Sequence, residues 1–418
     1  MELPKGFMEG ISDLIPEEAD AFFEAMLMPP ETSVKINRRK ITDPKATGYD
    51  GLQPVKWCES GFYLPERPKF TLNPLLHAGA FYVQDASSMI YESLMERIVP
   101  MAFDTSGKSL AVADLCAAPG GKTTSMINAL PDGSFVLANE YVGSRAGILK
   151  ENLMKWGYPE IMITNSPLSK LASAAEAAFD IVAVDAPCSG EGMMRKEPVA
   201  SKQWSAGLIR QCAELQREIL CNACRMLKPG GFLIYSTCTF NRIEDEEQAK
   251  WLVAEKDMVA FDPGFPEEWG IMRGVGTDLP VFRFMPHHTR GEGLFLAAFR
   301  KETDESVSPL PLKKLKERLG KNVKIIADGI PHTEMRGRDE APRSEWALSL
   351  DFPKGKYPVA EVDEATALSY LRHEALRLDA DIPRGFVVIS YKGFPLGFVK
   401  NLGSRANNLY PSEWRIRH

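Results

Sequence analysis

This sequence predicts an α/β protein organised around a doubly wound, largely parallel sheet, and two observations support that prediction. Five short runs, residues 111–116, 135–139, 161–164, 180–185 and 230–236, are mainly apolar rather than alternating, with polar residues chiefly at their ends, as strands buried on both faces are. Helical segments at 123–130, 144–155 and 205–227 fall between them, and a parallel sheet needs such crossover helices.

The remaining elements follow in chain order. Residues 1–72 form an N-terminal α+β part, with a short amphipathic helix at 17–27 and a polar extended stretch at 33–40. Pro29, Pro30, Pro44, Pro54, Pro65 and Pro68 favour short strands and turns there. The α/β unit occupies 73–302. After a helix at 244–256, two further runs at 281–285 and 293–299 predict an antiparallel hairpin on the sheet edge. A polar linker, 303–309, leads to a small domain at 310–418 with two short helices and a strand-rich end at 385–399. No internal repeat interrupts this order.

The 418 residues suffice for two or three domains, and 44% hydrophobic with 25% charged residues is ordinary for a globular chain. No run of about 18 apolar residues occurs, so no membrane span is expected. The first residues, Met1 to Gly6, lack a basic stretch followed by an apolar one, so no secretory signal is expected. Seven unevenly spaced cysteines do not make a disulfide framework and fit a reducing cytoplasm. The net charge of −6 is unevenly spread. Residues 306–418 carry 19 Lys and Arg against 14 Asp and Glu, a net of +5, so the preceding 305 residues carry −11. A basic C-terminal third is compatible with local RNA contact, although such a charge is often only a solvated face. A monomer is expected.

The first strand runs into Cys116, Ala117, Ala118, Pro119, Gly120, Gly121 and Lys122, a turn of small residues that opens a helix. Small residues let a ligand approach the backbone, and the helix start offers unpaired N–H groups. Three ligands compete for such a turn. A phosphate loop needs glycine where Cys116 stands, and a dinucleotide turn needs a Gly-x-Gly-x-x-Gly that is absent. The third is S-adenosylmethionine, with Glu140 after the second strand gripping the ribose hydroxyls. Glu140 also reads as a surface carboxylate at a helix start.

Two cysteines follow adjacent strands at the same sheet edge, Cys188 in Asp185-Ala186-Pro187-Cys188-Ser189-Gly190 and Cys238 in Ser236-Thr237-Cys238. One cysteine at a strand end is usually packing. Two at matched ends beside a sulfonium donor point to attack on a poorly nucleophilic carbon, with a thiolate favoured by nearby cations such as Arg195, Lys196 and Lys202. Cys221 and Cys224 also form a Cys-x-x-Cys pair, but inside a helix and without a second ligand pair. They read as packing, and no metal is expected.

The segments 116–122, 185–190 and Thr237-Cys238 together resemble the Nol/Nop/Sun, or Fmu-type, RNA cytosine-5 methyltransferases. The similarity extends to Tyr82–Ser88 and Gly291-Glu292-Gly293 and covers about residues 30–300. The segments 393–397 and 407–411 resemble the PUA-like extension of the bacterial ribosomal RNA branch. The resemblance implies a Rossmann-like class I methyltransferase sheet, S-adenosylmethionine as donor and a cytosine in ribosomal RNA as acceptor, either in naked RNA or within a small ribosomal subunit. It implies Cys238 as nucleophile, Cys188 as the group that assists release, and Asp185 beside donor and base. It also implies residues 116–122 around the methionine part, Glu140 on the ribose and Arg145 near the adenosine. Asn165 stands where the family often has Asp near the adenine, and Lys35-Ile36-Asn37 where it has Arg-x-Asn, keeping a phosphate contact. Lys35, Arg38, Arg39 and Lys40 are thus expected to grip RNA phosphates, with the C-terminal basic residues. Phe394, Tyr410 and Trp414 read as core rather than base-stacking platforms. Two other readings stay open, a transfer RNA substrate and a non-catalytic RNA-binding assembly factor.

Overall fold

The computed structural model describes residues 3–102, 109–304, 306–337 and 339–417. Met1 and Glu2 of the leader reading, residues 103–108 of the α/β unit, Glu305 of the linker, and Arg338 and His418 of the last domain lie outside them.

The chain opens on two helices, α1 (Lys5–Leu14) and α2 (Ala19–Leu27). Only α2 is expected from the sequence. The stripe Phe7, Ile11 and Leu14 of α1 is short, but it packs with Phe22, Met26 and Phe240 into a small core. A four-stranded sheet follows, β1 (Thr32–Ile36), β2 (Gln53–Val55), β3 (Cys58–Leu64) and, after the one-turn α3 (Pro74–His77), β4 (Phe81–Val83), in the order β2-β3-β1-β4. β4 pairs with β1, so this part runs past the boundary expected at residue 72.

The large sheet starts after α4 (Ile90–Ala102). It contains β5 (Ala111–Asp114), α5 (Gly121–Ala129), β6 (Phe135–Asn139), α6 (Gly143–Trp156), β7 (Ile161–Thr164), α7 (Leu168–Ala174) and β8 (Phe179–Asp185). Next come α8 (Pro198–Gln203), α9 (Ala206–Met226), β9 (Leu227–Thr237), α10 (Glu246–Glu255), β10 (Met258–Phe261), β11 (Met272–Arg273), β12 (Val281–Phe284) and β13 (Leu294–Lys301). All five predicted strands are present and pair in parallel in the order β7-β6-β5-β8-β9. The predicted hairpin, β12 and β13, pairs antiparallel and continues the sheet beyond β9. Chain order reverses between β5 and β8, and open α/β sheets bind ligands at the carboxyl ends beside such a reversal.

The C-terminal boundary is corrected by the sheet itself. Residues 310–418 are expected to be one separate domain, yet α11 (Leu312–Asn322) and β14 (Ile325–Asp328) belong to the α/β unit. β14 pairs antiparallel with β7 and caps that edge. The cause is the pair Leu315 and Leu319, one helical turn apart, which is buried in the core between the sheet and its helices. The small domain proper holds the hairpin β15 (Thr333–Arg336) and β16 (Asp339–Pro342), then α12 (Ser344–Leu348). It continues through β17 (Val359–Glu361), α13 (Glu364–Leu371), β18 (Gly385–Tyr391), β19 (Phe394–Asn401) and β20 (Ala406–Asn408). Tyr410 and Trp414 are core, as expected. No helix among the described residues is long and apolar enough to cross a membrane.

The expected phosphate grip at 35–40 is also corrected. Lys35 is fully buried, and its Nζ donates to Gly121 O, Thr124 Oγ1 and Ser125 Oγ, at 3.1, 2.9 and 2.6 Å. Arg38 pairs with Glu92 and Glu96, and Arg39 with Asp132. Lys40 donates to the carbonyls of Ala78 and Lys155, both at 2.8 Å, and so neutralises the C-terminal end of α6. These cations join the N-terminal part to the large sheet.

Lys35 has a measurable consequence. Burial pushes its ammonium down to about 7, against a smaller opposing pull from Glu92. The unfolded chain therefore binds more protons than the folded one above about pH 7, so this group makes stability rise with pH until the ordinary lysine value near 10.4. Urea unfolding at about pH 7 and pH 9.5 should show a rise on the order of 3 kcal/mol from this group. In Lys35→Met that rise should vanish; an equal rise in both proteins refutes the assignment.

Candidate active site

The turn after β5 is shaped by its neighbours before any ligand arrives. Leu115 N donates to Ala183 O at 3.0 Å and Ala117 N to Asn139 O at 2.9 Å, tying the turn to β8 and β6. From α6, Arg145 Nη2 donates to Ala118 O and Asn152 Nδ2 to Pro119 O, both at 2.8 Å. Gly120 is left-handed, with φ of 112°, and turns the chain into α5. Thr123 Oγ1 donates to the buried Asp114 at 2.6 Å, whose carboxyl burial raises to about 7.

Glu140 is the carboxylate at the end of β6, and it is buried rather than a surface group. Its Oε1 accepts from Val142 N at 2.8 Å. Its Oε2 has no hydrogen-bond partner and lies 3.4 Å from Arg145 Nη1. A buried carboxylate oxygen in this state calls for a donor, and the vicinal hydroxyls of a ribose supply two. With the turn of small residues, this donor set fits S-adenosylmethionine. Asn165 is placed differently from its expected use. Its Nδ2 donates to the Glu140 and Tyr141 carbonyls, both at 2.8 Å, and its Oδ1 accepts from Lys324 Nζ at 3.0 Å. Its amide shapes the Glu140 loop, and its acceptor oxygen is already shared.

The two cysteines meet. Asp185 and Ser236 are paired across β8 and β9, so Cys188 and Cys238 leave the sheet at nearly the same level. Their sulfurs are 3.2 Å apart, both are free, and both are partly exposed. The hydrogen bond to Cys238 first, and burial second, raise the Cys188 thiol well above its ordinary value. Cys188 therefore holds its proton more tightly than an ordinary thiol. The 188 loop folds back through Gly192, whose N donates to Cys238 O at 2.9 Å. A Cβ there would stand 2.8 Å from Glu292 O and 3.1 Å from Cys238 O, so only glycine fits this approach.

The cation beside the thiols is Lys122, not the three named from the sequence. Arg195 and Lys196 are both engaged by Glu292, and Lys202 has no ion pair among the described residues. Lys122 Nζ lies 2.8 Å from Asp185 Oδ2. Burial works against its charge, but the charge and hydrogen bond of Asp185, then Cys238, hold it above the ordinary lysine value. Asp185 Oδ1 accepts from Ser236 Oγ at 2.6 Å, and Ser236 in turn meets Tyr91 Oη at 2.9 Å.

Sequence reasoning missed Tyr91, Ser236 and the acids after Cys238. Glu244 accepts from Ser189 N at 3.0 Å, Gln216 at 2.9 Å and Asn241 at 2.7 Å, and ties both cysteine loops together. Asp245 accepts from Thr237 Oγ1 at 2.6 Å, and the fully buried Arg283 joins Asp245, Glu246 and Phe240 O. The signal was available: three consecutive acids six to eight residues past Cys238, with Arg283 as the lone cation in an apolar strand. The hairpin tip is held by His287 and His288, whose Nε2 atoms both donate to Glu18, at 2.8 and 2.5 Å.

Three family models match. "16S rRNA methyltransferase RsmB/F" covers residues 104–300, "N-terminal domain of 16S rRNA methyltransferase RsmF" residues 3–86, and "Methyltransferase RsmF PUA domain" residues 357–416. The "Ribosomal RNA small subunit methyltransferase F" of Erwinia tasmaniensis is 30% identical over 98% of this chain and 96% of its own length. That of Pectobacterium carotovorum is 34% identical over 74% of this chain and 64% of its own. Among solved structures, a methyltransferase homolog protein from Pyrococcus horikoshii is 26% identical, with a TM-score of 0.60 over 71% of this chain and 95% of that one. NSun6 from the same organism, solved with SFG, shares the fold at 21% identity, with a TM-score of 0.60 over 72% of this chain and 99% of that one.

Proposed function

Because the chain belongs to the 16S rRNA methyltransferase RsmB/F family, we propose that it methylates carbon 5 of a cytosine in the RNA of the small ribosomal subunit, with Cys238 as covalent nucleophile. The observation that carries this reading is the pair of thiols 3.2 Å apart at two adjacent strand ends, next to the Lys122–Asp185 ion pair and the turn that fits the methyl donor. S-adenosylmethionine bound in that turn would supply an electrophilic methyl group. Residues 116–122 would hold its methionine part, Glu140 its ribose and Arg145 its adenosine end, with Asn165 keeping the Glu140 loop in place.

Carbon 5 of cytosine is too weak a nucleophile to take a methyl group unaided. Addition of the Cys238 sulfur to carbon 6 makes carbon 5 enamine-like and divides one hard step into easier ones. Lys122 adds positive charge near the thiols, and such charge favours the thiolate that attacks. Asp185 orients the exposed edge of the base while Ser236 and Lys122 hold its carboxylate in place. Once sulfur is bonded to carbon 6, the hydrogen bond to Cys238, the largest influence that raises the Cys188 thiol, is weakened. Cys188 can then release that proton to solvent and take the one on carbon 5, and the electrons left behind expel Cys238 and restore the ring. The target base must be unpaired or flipped out, since pairing hides both carbons in the stack.

The relatives' names point to ribosomal rather than transfer RNA, and a non-catalytic assembly factor has no need of two opposed thiols. Bisulfite sequencing of 16S rRNA from cells with and without the protein tests the reading. One cytosine should resist conversion only when the protein is present; conversion unchanged at every cytosine refutes it.

A further inference from the structure

The proposed substrate is a polyanion, and the chain as a whole repels it, with a net charge of −6. An RNA substrate therefore needs local cationic ground. The cations at 35–40 do not provide it, because internal contacts consume them. The segment 312–324 carries six Lys and Arg and a single acid, Glu317. Lys314, Arg318 and Lys321 recur at spacings of four and three and so share one exposed face of α11, beside the buried Leu315 and Leu319. Across from that face lies α7. Lys170, Ser169 and Ser173 of α7 and Arg318, Lys321 and Asn322 of α11 line a groove of about 660 Å³. No carboxylate lines it, and among the described residues no ion pair engages Lys170, Arg318 or Lys321.

From this we propose that the groove between α7 and α11 seats the sugar–phosphate backbone of the substrate RNA as it leaves the catalytic edge, an inference that rests on the RNA-directed reading above. The chain that leaves the groove leads toward the candidate active site: Lys324, two residues past α11, donates to Asn165, whose amide holds the Glu140 loop. The lining is three cations with hydroxyl and amide groups and one alanine. A protein partner would ask for aromatic or aliphatic anchors, which the groove lacks. Phosphate oxygens ask for cations and short polar donors, which it has.

The test is the triple variant Lys170→Ala, Arg318→Ala, Lys321→Ala in the full chain, with transcribed 16S rRNA as probe. All three side chains are exposed, so the melting temperature should stay that of the parent. Each lost phosphate contact lowers the slope of log affinity against log salt by about 0.7 to 0.9, so the slope should fall by about 2 to 3. Binding at about 0.1 M salt should weaken roughly tenfold or more, and KM for RNA should rise while kcat at saturation holds. The triple Lys170→Arg, Arg318→Lys, Lys321→Arg variant should keep the parent slope, because charge rather than shape is read. An unchanged slope and affinity in the alanine variant overturns the groove, as does failure of the parent to bind this RNA. The slope needs no methyl transfer, so RNA bound through the groove without methylation would sink the catalytic reading and leave this one standing.

Discussion

Replacement of Cys238 with alanine should abolish methyl transfer to 16S rRNA, lowering the rate at saturating donor and RNA by at least about a thousandfold. The expectation follows from where the barrier lies. Without a bond from sulfur to carbon 6, carbon 5 stays electron-poor, and neither Lys122 nor Asp185 can replace that bond. The folded state loses little, because Cys238 is partly exposed and its strand is held by Asp245 and Arg283 rather than by the thiol. A melting temperature within about 2 °C of the parent separates lost chemistry from lost fold. Initial rates of labelled methyl incorporation measure the effect, and activity within about tenfold of the parent refutes the nucleophile.

The sheet and the thiol pair were legible in the sequence for one physical reason. Strands buried on both faces must be mainly apolar, so 111–116 and 230–236 announce themselves, and the residues that follow them are then fixed to one edge. Matched positions after Asp185 and Ser236 put Cys188 beside Cys238 without any knowledge of side-chain packing. Charges were misread because a sequence does not say which cation is spent internally. Lys35 through Lys40 look like a phosphate grip, yet each meets a carbonyl, hydroxyl or carboxylate of the neighbouring unit. Lys122 looks like part of a backbone turn, yet its ammonium reaches Asp185. α11 and β14 were assigned to the wrong domain because a polar stretch before them resembles a linker, while what places them is the pairing of β14 with β7, about 160 residues away in the chain. Local pattern carries periodicity and edges; it does not carry long-range pairing.

The mirror variant discriminates the two sulfurs more sharply than loss of activity does. Cys188→Ala should still attack, because Cys238, Lys122 and Asp185 remain, but it should fail to complete release. Methylated RNA joined to the protein should then build up as a band of reduced mobility on denaturing gels, with about one RNA trapped per active chain and steady-state turnover down by about a hundredfold or more. The parent should show at most a trace of that band, and the double variant Cys188→Ala, Cys238→Ala none. The chemistry behind the contrast is a division of roles across 3.2 Å: one sulfur bonds to carbon 6, and the other, whose thiol is raised well above its ordinary value, takes the proton from carbon 5. Removal of Cys188 leaves the attacking sulfur in place and takes away the group that answers it. A band from Cys238→Ala instead would exchange the two roles, and no band from either single variant would remove Cys188 from release altogether.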